Sequence, residues 1–115
     1  MKEQSIFIEF VGDSPMSRVL DYLLTFEGLD YCISDLADNA RIGRATLYRI
    51  WDALIKHDIL VPTRTIGKAK LFKLNRQNPK VKKLIELDNL LVLEALRKKA
   101  KEQELLAEAK STRFK

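Results

Sequence analysis

The residues of this 115-residue chain best equipped for chemistry are a group of donors and cations near its middle. "IGRATLYRIW", residues 42–51, sets Arg44, Thr46, Tyr48 and Arg49 among Leu47, Ile50 and Trp51. On a helix, the i, i+3, i+4, i+7 spacing puts Leu47, Ile50, Trp51 and Leu54 on one face. Arg44, Ala45, Thr46, Tyr48, Arg49 and Asp52 then turn outward or sideways. Arginine is the natural bidentate partner of guanine O6 and N7, and threonine serves a phosphate or a thymine methyl. Further on, "TRTIGKAKLFK" carries Arg64, Lys68, Lys70 and Lys73 about Gly67, a second basic element suited to phosphates.

Other chemistries find little support. His57 is the only histidine and Cys32 the only cysteine, so no zinc ligand set and no Ser/His/Asp or Cys/His arrangement can be assembled. A phosphate-binding loop and a GxGxxG fingerprint are both missing from the sequence. No catalytic residue, metal or cofactor is expected, and the chain does not read as an enzyme. His57 with Asp58 reads as a pair at a helix C-terminus. Cys32, between apolar segments, reads as a small buried hydrophobe. At helical register Trp51 belongs to the core, and no run of exposed aromatics suggests a single-strand stacking platform.

Charge sharpens the first reading. Residues 1–40 hold two basic groups against eight acids, a net of −6. Residues 41–83 hold twelve basic groups against Asp52 and Asp58, a net of +10, and residues 84–115 are nearly balanced at +1. All the excess positive charge therefore lies in the middle third, where it builds a local field for a polyanion.

Elements must hold these groups in place. "SIFIEFV", residues 5–11, is β-branched and aromatic and predicts a strand. Ser14 is a natural N-cap and Pro15 a natural first residue for a helix over about 15–26. "DYCI" reads as an extended connector. Ser34 is expected to cap a second helix, with Asp35 near the positive end of its dipole. "NARIG" turns the chain, and a third helix runs over about 44–57. "ILVPTRT" and "KAKLFKL" predict strands joined across "IGK", with Pro62 marking an edge strand. Leu60, Leu71 or Phe72, and Leu74 are its candidates for burial. After "NRQNP" a helical pattern extends from Pro79 to about Lys110 without glycine or proline.

"ISDLADNARIGRATLYRIWDALIKHDILVPTRTIGKAKLFKLN", residues 33–75, resembles the winged helix-turn-helix of small prokaryotic, especially archaeal, transcription regulators. Ile33–Asn39 matches the supporting helix, "ARIG" the turn, Arg44–His57 the recognition helix, and Ile59–Leu74 the wing. The resemblance implies a mainly α fold with a small β-hairpin (α+β), and sequence-specific binding of double-stranded DNA. Residues 44–57 would then enter the major groove, and the basic wing over 63–73 would meet the backbone or minor groove. The expected DNA-binding residues are Arg44, Ala45, Thr46, Tyr48 and Arg49, with Arg64, Lys68 and Lys70 of the wing, and Arg41 and Ser34 as further phosphate contacts. Two alternatives stand beside this. One is a winged-helix module that binds protein; the other is a plasmid or viral replication or partition factor.

The expected organisation is an N-terminal strand or arm at 1–13, the winged helix-turn-helix domain at 14–75, a dimerisation helix at 79–110 and a disordered tail at 111–115. The last helix is apolar nearly all round from 84 to 96 and must be covered. A second copy is the economical cover, because helix-turn-helix proteins commonly read paired half-sites. Leu84, Leu87, Leu90, Leu91 and Leu93 are the expected homodimer residues, and the N-terminal strand is a candidate second element of that interface. The opening segment lacks the pattern of a signal peptide, and no apolar run reaches the roughly 18 residues of a membrane helix. The expected location is the cytoplasm, without membrane partners.

Overall fold

In the computed structural model, which describes residues 5–113, the elements follow from the cap and packing chemistry of each segment. They are α1 (Ile6–Val11), α2 (Pro15–Thr25), β1 (Asp30–Tyr31), α3 (Ile33–Ala40), α4 (Arg44–Lys56), β2 (Leu60–Ile66), β3 (Ala69–Leu74) and α5 (Pro79–Arg113). Residues 1–4 of the predicted arm and 114–115 of the predicted tail lie outside the described residues.

The first segment corrects an expectation. Residues 6–11 form a helix, not a strand. Ser5 caps it, its Oγ accepting from the Ile8 N–H at 3.0 Å, and Phe7 is buried. A lone strand would need an edge to pair with, whereas a helical turn satisfies its hydrogen bonds locally and α5 buries its apolar side. Tertiary packing thus overrides the β preference of the side chains. The predicted tail is also corrected in part, since α5 continues through Arg113.

Helix α2 begins as expected, at Ser14. Ser14 Oγ accepts from the Ser17 N–H while Ser17 Oγ accepts from the Ser14 N–H, a reciprocal capping box ahead of Pro15. Helix α3 starts two residues early for the predicted cap. Cys32 stands at its N-cap and Ser34 lies inside the first turn, where its own backbone is helical. Helices α3 and α4 both end on a left-handed residue, Arg41 (φ 60°) and Asp58 (φ 54°). In each case the following N–H returns to the last turn, Ile42 to the Ala37 carbonyl at 3.0 Å and Ile59 to the Leu54 carbonyl at 2.9 Å. This is the Schellman arrangement, and it presses Ile42 and Ile59 against the core.

The core is shared by every helix. Phe7, Val19, Leu23, Leu36, Leu47, Leu54, Leu74 and Val81 are its largest fully buried side chains. The three strands order β1-β3-β2, all antiparallel, so β2 is an edge and Pro62 sits on it. Leu60 faces Leu74 at the buried base of the hairpin, and Thr65↔Lys70 and Ile66↔Ala69 close its outer end. Gly67, at φ 59°, supplies the positive φ that the two-residue loop needs. The expected connector "DYCI" contributes β1, which pairs with β3 through Asp30↔Lys73 and Tyr31↔Phe72.

Helix α5 leaves this body at one buried polar residue. Asn78 Nδ2 donates to the His57 carbonyl at 2.8 Å and the Asp58 carbonyl at 2.9 Å, while its Oδ1 accepts from the Lys80 N–H at 2.9 Å. The same amide therefore satisfies the end of α4 and caps the start of α5. At about 1.5 Å per residue the 35 residues of α5 reach roughly 52 Å, and they make the molecule 69 Å long. We expect Asn78→Ala to destabilise the fold by about 2–4 kcal/mol, from a lost cap and a stranded His57 carbonyl, the Asp58 carbonyl keeping the Asn75 amide as its donor. The check is urea unfolding, which should show a lower midpoint at unchanged slope.

Candidate nucleic-acid interface

Helix α4 presents the side chains singled out above. Leu47 and Leu54 are fully buried, and Ile50 and Trp51 lie half-buried against the core. The opposite side carries Arg44, Ala45, Tyr48, Arg49 and Asp52, all exposed, with Thr46 half-buried at its margin. Tyr48 is 59% exposed, so it points out from α4 and does not pack beneath the hairpin. Trp51 is placed as expected. Its ring meets Phe72 of β3 edge-to-face, with centroids 5.0 Å apart, and so joins α4 to the hairpin.

The start of α4 is open. Gly43 is its N-cap, no side chain caps the first turn, and the first intrahelical bond runs from the Leu47 N–H to the Gly43 carbonyl at 3.0 Å. The N–H groups of Arg44, Ala45 and Thr46 thus point out at the positive end of the helix dipole, a setting that favours an anion. Gly43 itself has an ordinary φ of −70°. A Cβ there would stand 3.9 Å from Thr46 Oγ1, in ordinary contact.

The turn before α4 is held from outside. Arg18 of α2 donates to the Arg41 carbonyl at 3.1 Å and makes a two-pronged pair with Asp13, at 2.7 and 3.0 Å. That hydrogen bonding keeps the Asp13 carboxyl below the usual carboxylate range. The Arg41 side chain is left exposed beside the start of α4.

The hairpin carries its cations unevenly. Lys68 is exposed in the loop at the tip. Lys70 is exposed, and its Nζ lies 5.8 Å from the Phe72 ring centroid, a weak cation–π contact. Arg64 is held instead. Its Nε and Nη2 donate to Asp30 Oδ2 and Oδ1 at 2.9 and 3.2 Å, and Thr63 Oγ1 donates to Asp30 Oδ2 at 2.7 Å. Arg64 first, then Thr63, hold the Asp30 carboxyl below its ordinary range. Sequence reasoning missed both Asp30 and Arg18, because their partners lie 34 and 23 residues away and leave no local pattern.

The arginines therefore divide into two groups. Arg18 and Arg64 are committed to carboxylates, whereas Arg41, Arg44 and Arg49 have no side-chain partner among the described residues. The uncommitted group lies on and beside the open end of α4. Ser34 lies half-buried in the first turn of α3.

Comparison with solved structures fits this arrangement of helices and hairpin. NadR, solved with 4-hydroxyphenylacetate, superposes at a TM-score of 0.56 with 23% identity, over 90% of this chain and 74% of its own. A variant of Lactococcus lactis ZitR gives 0.55 with 16% identity, over 91% of this chain and 77% of its own. AntR, an antimony-specific transcriptional repressor, gives 0.53 with 23% identity, over 73% and 72%. The chain shares the winged helix-turn-helix fold of these proteins. No protein-family model and no curated protein matches the chain. In this fold α3 and α4 are the two helices of the helix-turn-helix, and β2 with β3 form the wing.

The open N-cap yields a test with opposed signs. Gly43→Asp should stabilise the fold by a few tenths of a kcal/mol, by accepting from the first-turn N–H groups. The same carboxylate should weaken duplex binding by about tenfold, since it occupies the position of a phosphate. Thermal unfolding and fluorescence anisotropy read the two effects. Unchanged duplex binding would remove the start of α4 from the interface.

Proposed function

We propose that this chain is a dimeric transcription regulator that binds double-stranded DNA, with α4 in the major groove and the wing on the backbone or minor groove. The observation that carries the reading is the allocation of charge. Three uncommitted arginines and the open end of a helix share one surface, and the exposed Lys68 and Lys70 extend from the adjoining wing. Arg44 and Arg49 read base edges; Thr46 and the free N–H groups take a phosphate; Arg41 adds a backbone contact. Lys68 and Lys70 neutralise phosphates along the flanking groove. The repressor activity of AntR, which shares the fold, agrees with this reading. A protein-binding wing would be expected to offer an apolar surface, and here only Ile66 of the tip is a large exposed hydrophobe among cations.

Binding to a duplex pool should fall roughly a hundredfold between 50 and 200 mM salt, as a few phosphates exchange their counterions for side chains. On a selected site, Arg49→Ala should cost roughly 5- to 150-fold and relax preference at one base pair. Lys68→Ala should weaken all duplexes alike and reduce the salt slope by about 1. Unaltered binding in both variants would refute the placement.

The dimer rests on α5. Leu84 and Leu91, expected at the interface, turn partly to the chain's own core, because Val81 and its neighbours anchor the start of α5 there. Leu87 is half-buried, and Leu90 and Leu93 are 50% and 44% exposed. Val92 and Leu96 are also exposed, so the uncovered apolar surface lies further along α5 than the sequence pattern placed it. A second copy covers it in this reading. Sedimentation should show a dimer that the pair Leu93→Glu and Leu96→Glu converts to a folded monomer. A wild-type monomer, or a dimer indifferent to both changes, would contradict it.

A further inference from the structure

The carboxylate of Asp30 occupies an unusual position in the sheet. Strands β1 and β2 are both neighbours of β3 and do not pair with each other, so about 9–10 Å separates them. Asp30 of β1 nonetheless accepts three hydrogen bonds from Thr63 and Arg64 of β2, reaching across β3. Its side chain is only 18% exposed, against 62% for Arg64.

The three donors come from the weakest place in the wing. Register between β2 and β3 is regular from Leu60↔Leu74 to Pro62↔Phe72, then shifts before resuming at Thr65↔Lys70. Pro62 has no N–H to offer, and the irregularity leaves Thr63 and Arg64 outside the ladder pairing. A break of this kind bends and re-aims a strand. Beyond it, two residue pairs and one loop carry Lys68 and Lys70. Without a further tie, the outer wing would swing about the break.

We propose that Asp30 is the positioning residue of the wing: by clamping Thr63 and Arg64 across β3 it fixes the angle at which Lys68 and Lys70 meet duplex DNA. This rests on the duplex-binding reading above and changes the role of one residue in it. Arg64 is part of the clamp, not a phosphate ligand, since a phosphate would have to break a bidentate pair to recruit it. An acid beside the binding surface thus supports binding, although its charge alone would repel DNA.

The test uses the full chain and reads two quantities. One is amide hydrogen exchange at Thr65–Lys70 in the free protein; the other is duplex affinity with its salt slope. Asp30→Asn and Arg64→Met should each raise exchange in the outer wing and weaken duplex binding roughly fivefold to tenfold. The double variant should be no weaker than the worse single one, because both changes open the same clamp. Arg64→Met should lower the salt slope no more than Asp30→Asn does, since both act through the wing lysines. Thr63→Val, which keeps both charges, should move exchange and affinity in the same direction by less. Tighter binding by Asp30→Asn with unchanged exchange would overturn the proposal, leaving Asp30 as a repulsive charge. A slope reduced by about 1 in Arg64→Met but not in Asp30→Asn would overturn it too, making Arg64 a phosphate ligand. A wild type with no affinity for any duplex would instead refute the DNA reading, while the exchange arm would still report on the clamp.

Discussion

The buried amide of Asn78 is the constraint on which the remaining geometry depends. One side chain ties the carbonyl end of α4, the entry to β2 and the start of α5 into a single corner. Asn75 reinforces it, donating from its side chain to the Asp58 carbonyl at 3.0 Å and from its backbone to the Ile59 carbonyl at 2.8 Å. At the other end of α4, Arg18 grips the Arg41 carbonyl. Helix α4 is thus fastened at both ends by residues outside it, and by Leu47 and Leu54 beneath. Its outer face is left with no structural duty, which is the condition for a face that reads something else.

Charge is distributed by the same logic. Two acids of the first third are spent on internal structure: Asp13 orients Arg18, and Asp30 orients Arg64. Asp88 of α5 meets Asp21 and Glu27, and its carboxyl is pushed up, by burial first and by those two charges next. The cations of α4 and the wing tip are kept free. The net of +10 over residues 41–83 therefore overstates what is offered to a partner, because Arg64 is already neutralised.

Local chemistry made much of this legible. The Ser14 cap, the Pro15 start, the Leu47/Leu54 stripe, the Trp51 anchor and the Gly67 loop all follow from residue type and near-neighbour spacing. What failed was decided by distant partners. "SIFIEFV" carries strand-like side chains, yet α5 and a Ser5 cap make it helical. Ser34 looks like a cap, but Cys32 already holds the extended backbone that the position requires. The turn in "NARIG" is made by a left-handed Arg41, while Gly43 keeps an ordinary φ of −70°. Leu84 and Leu91 read as partner surface because the sequence does not reveal how far along α5 the chain's own core reaches. The Asp30 clamp joins residues 34 apart across a middle strand, and no periodicity records it.

In the proposed function one surface, the outer face of α4 with the wing tip, meets double-stranded DNA. The most direct measurement is backbone amide NMR of the chain titrated with a short duplex. Perturbations should concentrate over residues 41–52 and 65–70 and spare α2 and the free length of α5. Shifts confined to α1, α2 or α5, or no shifts at any duplex concentration, would contradict it.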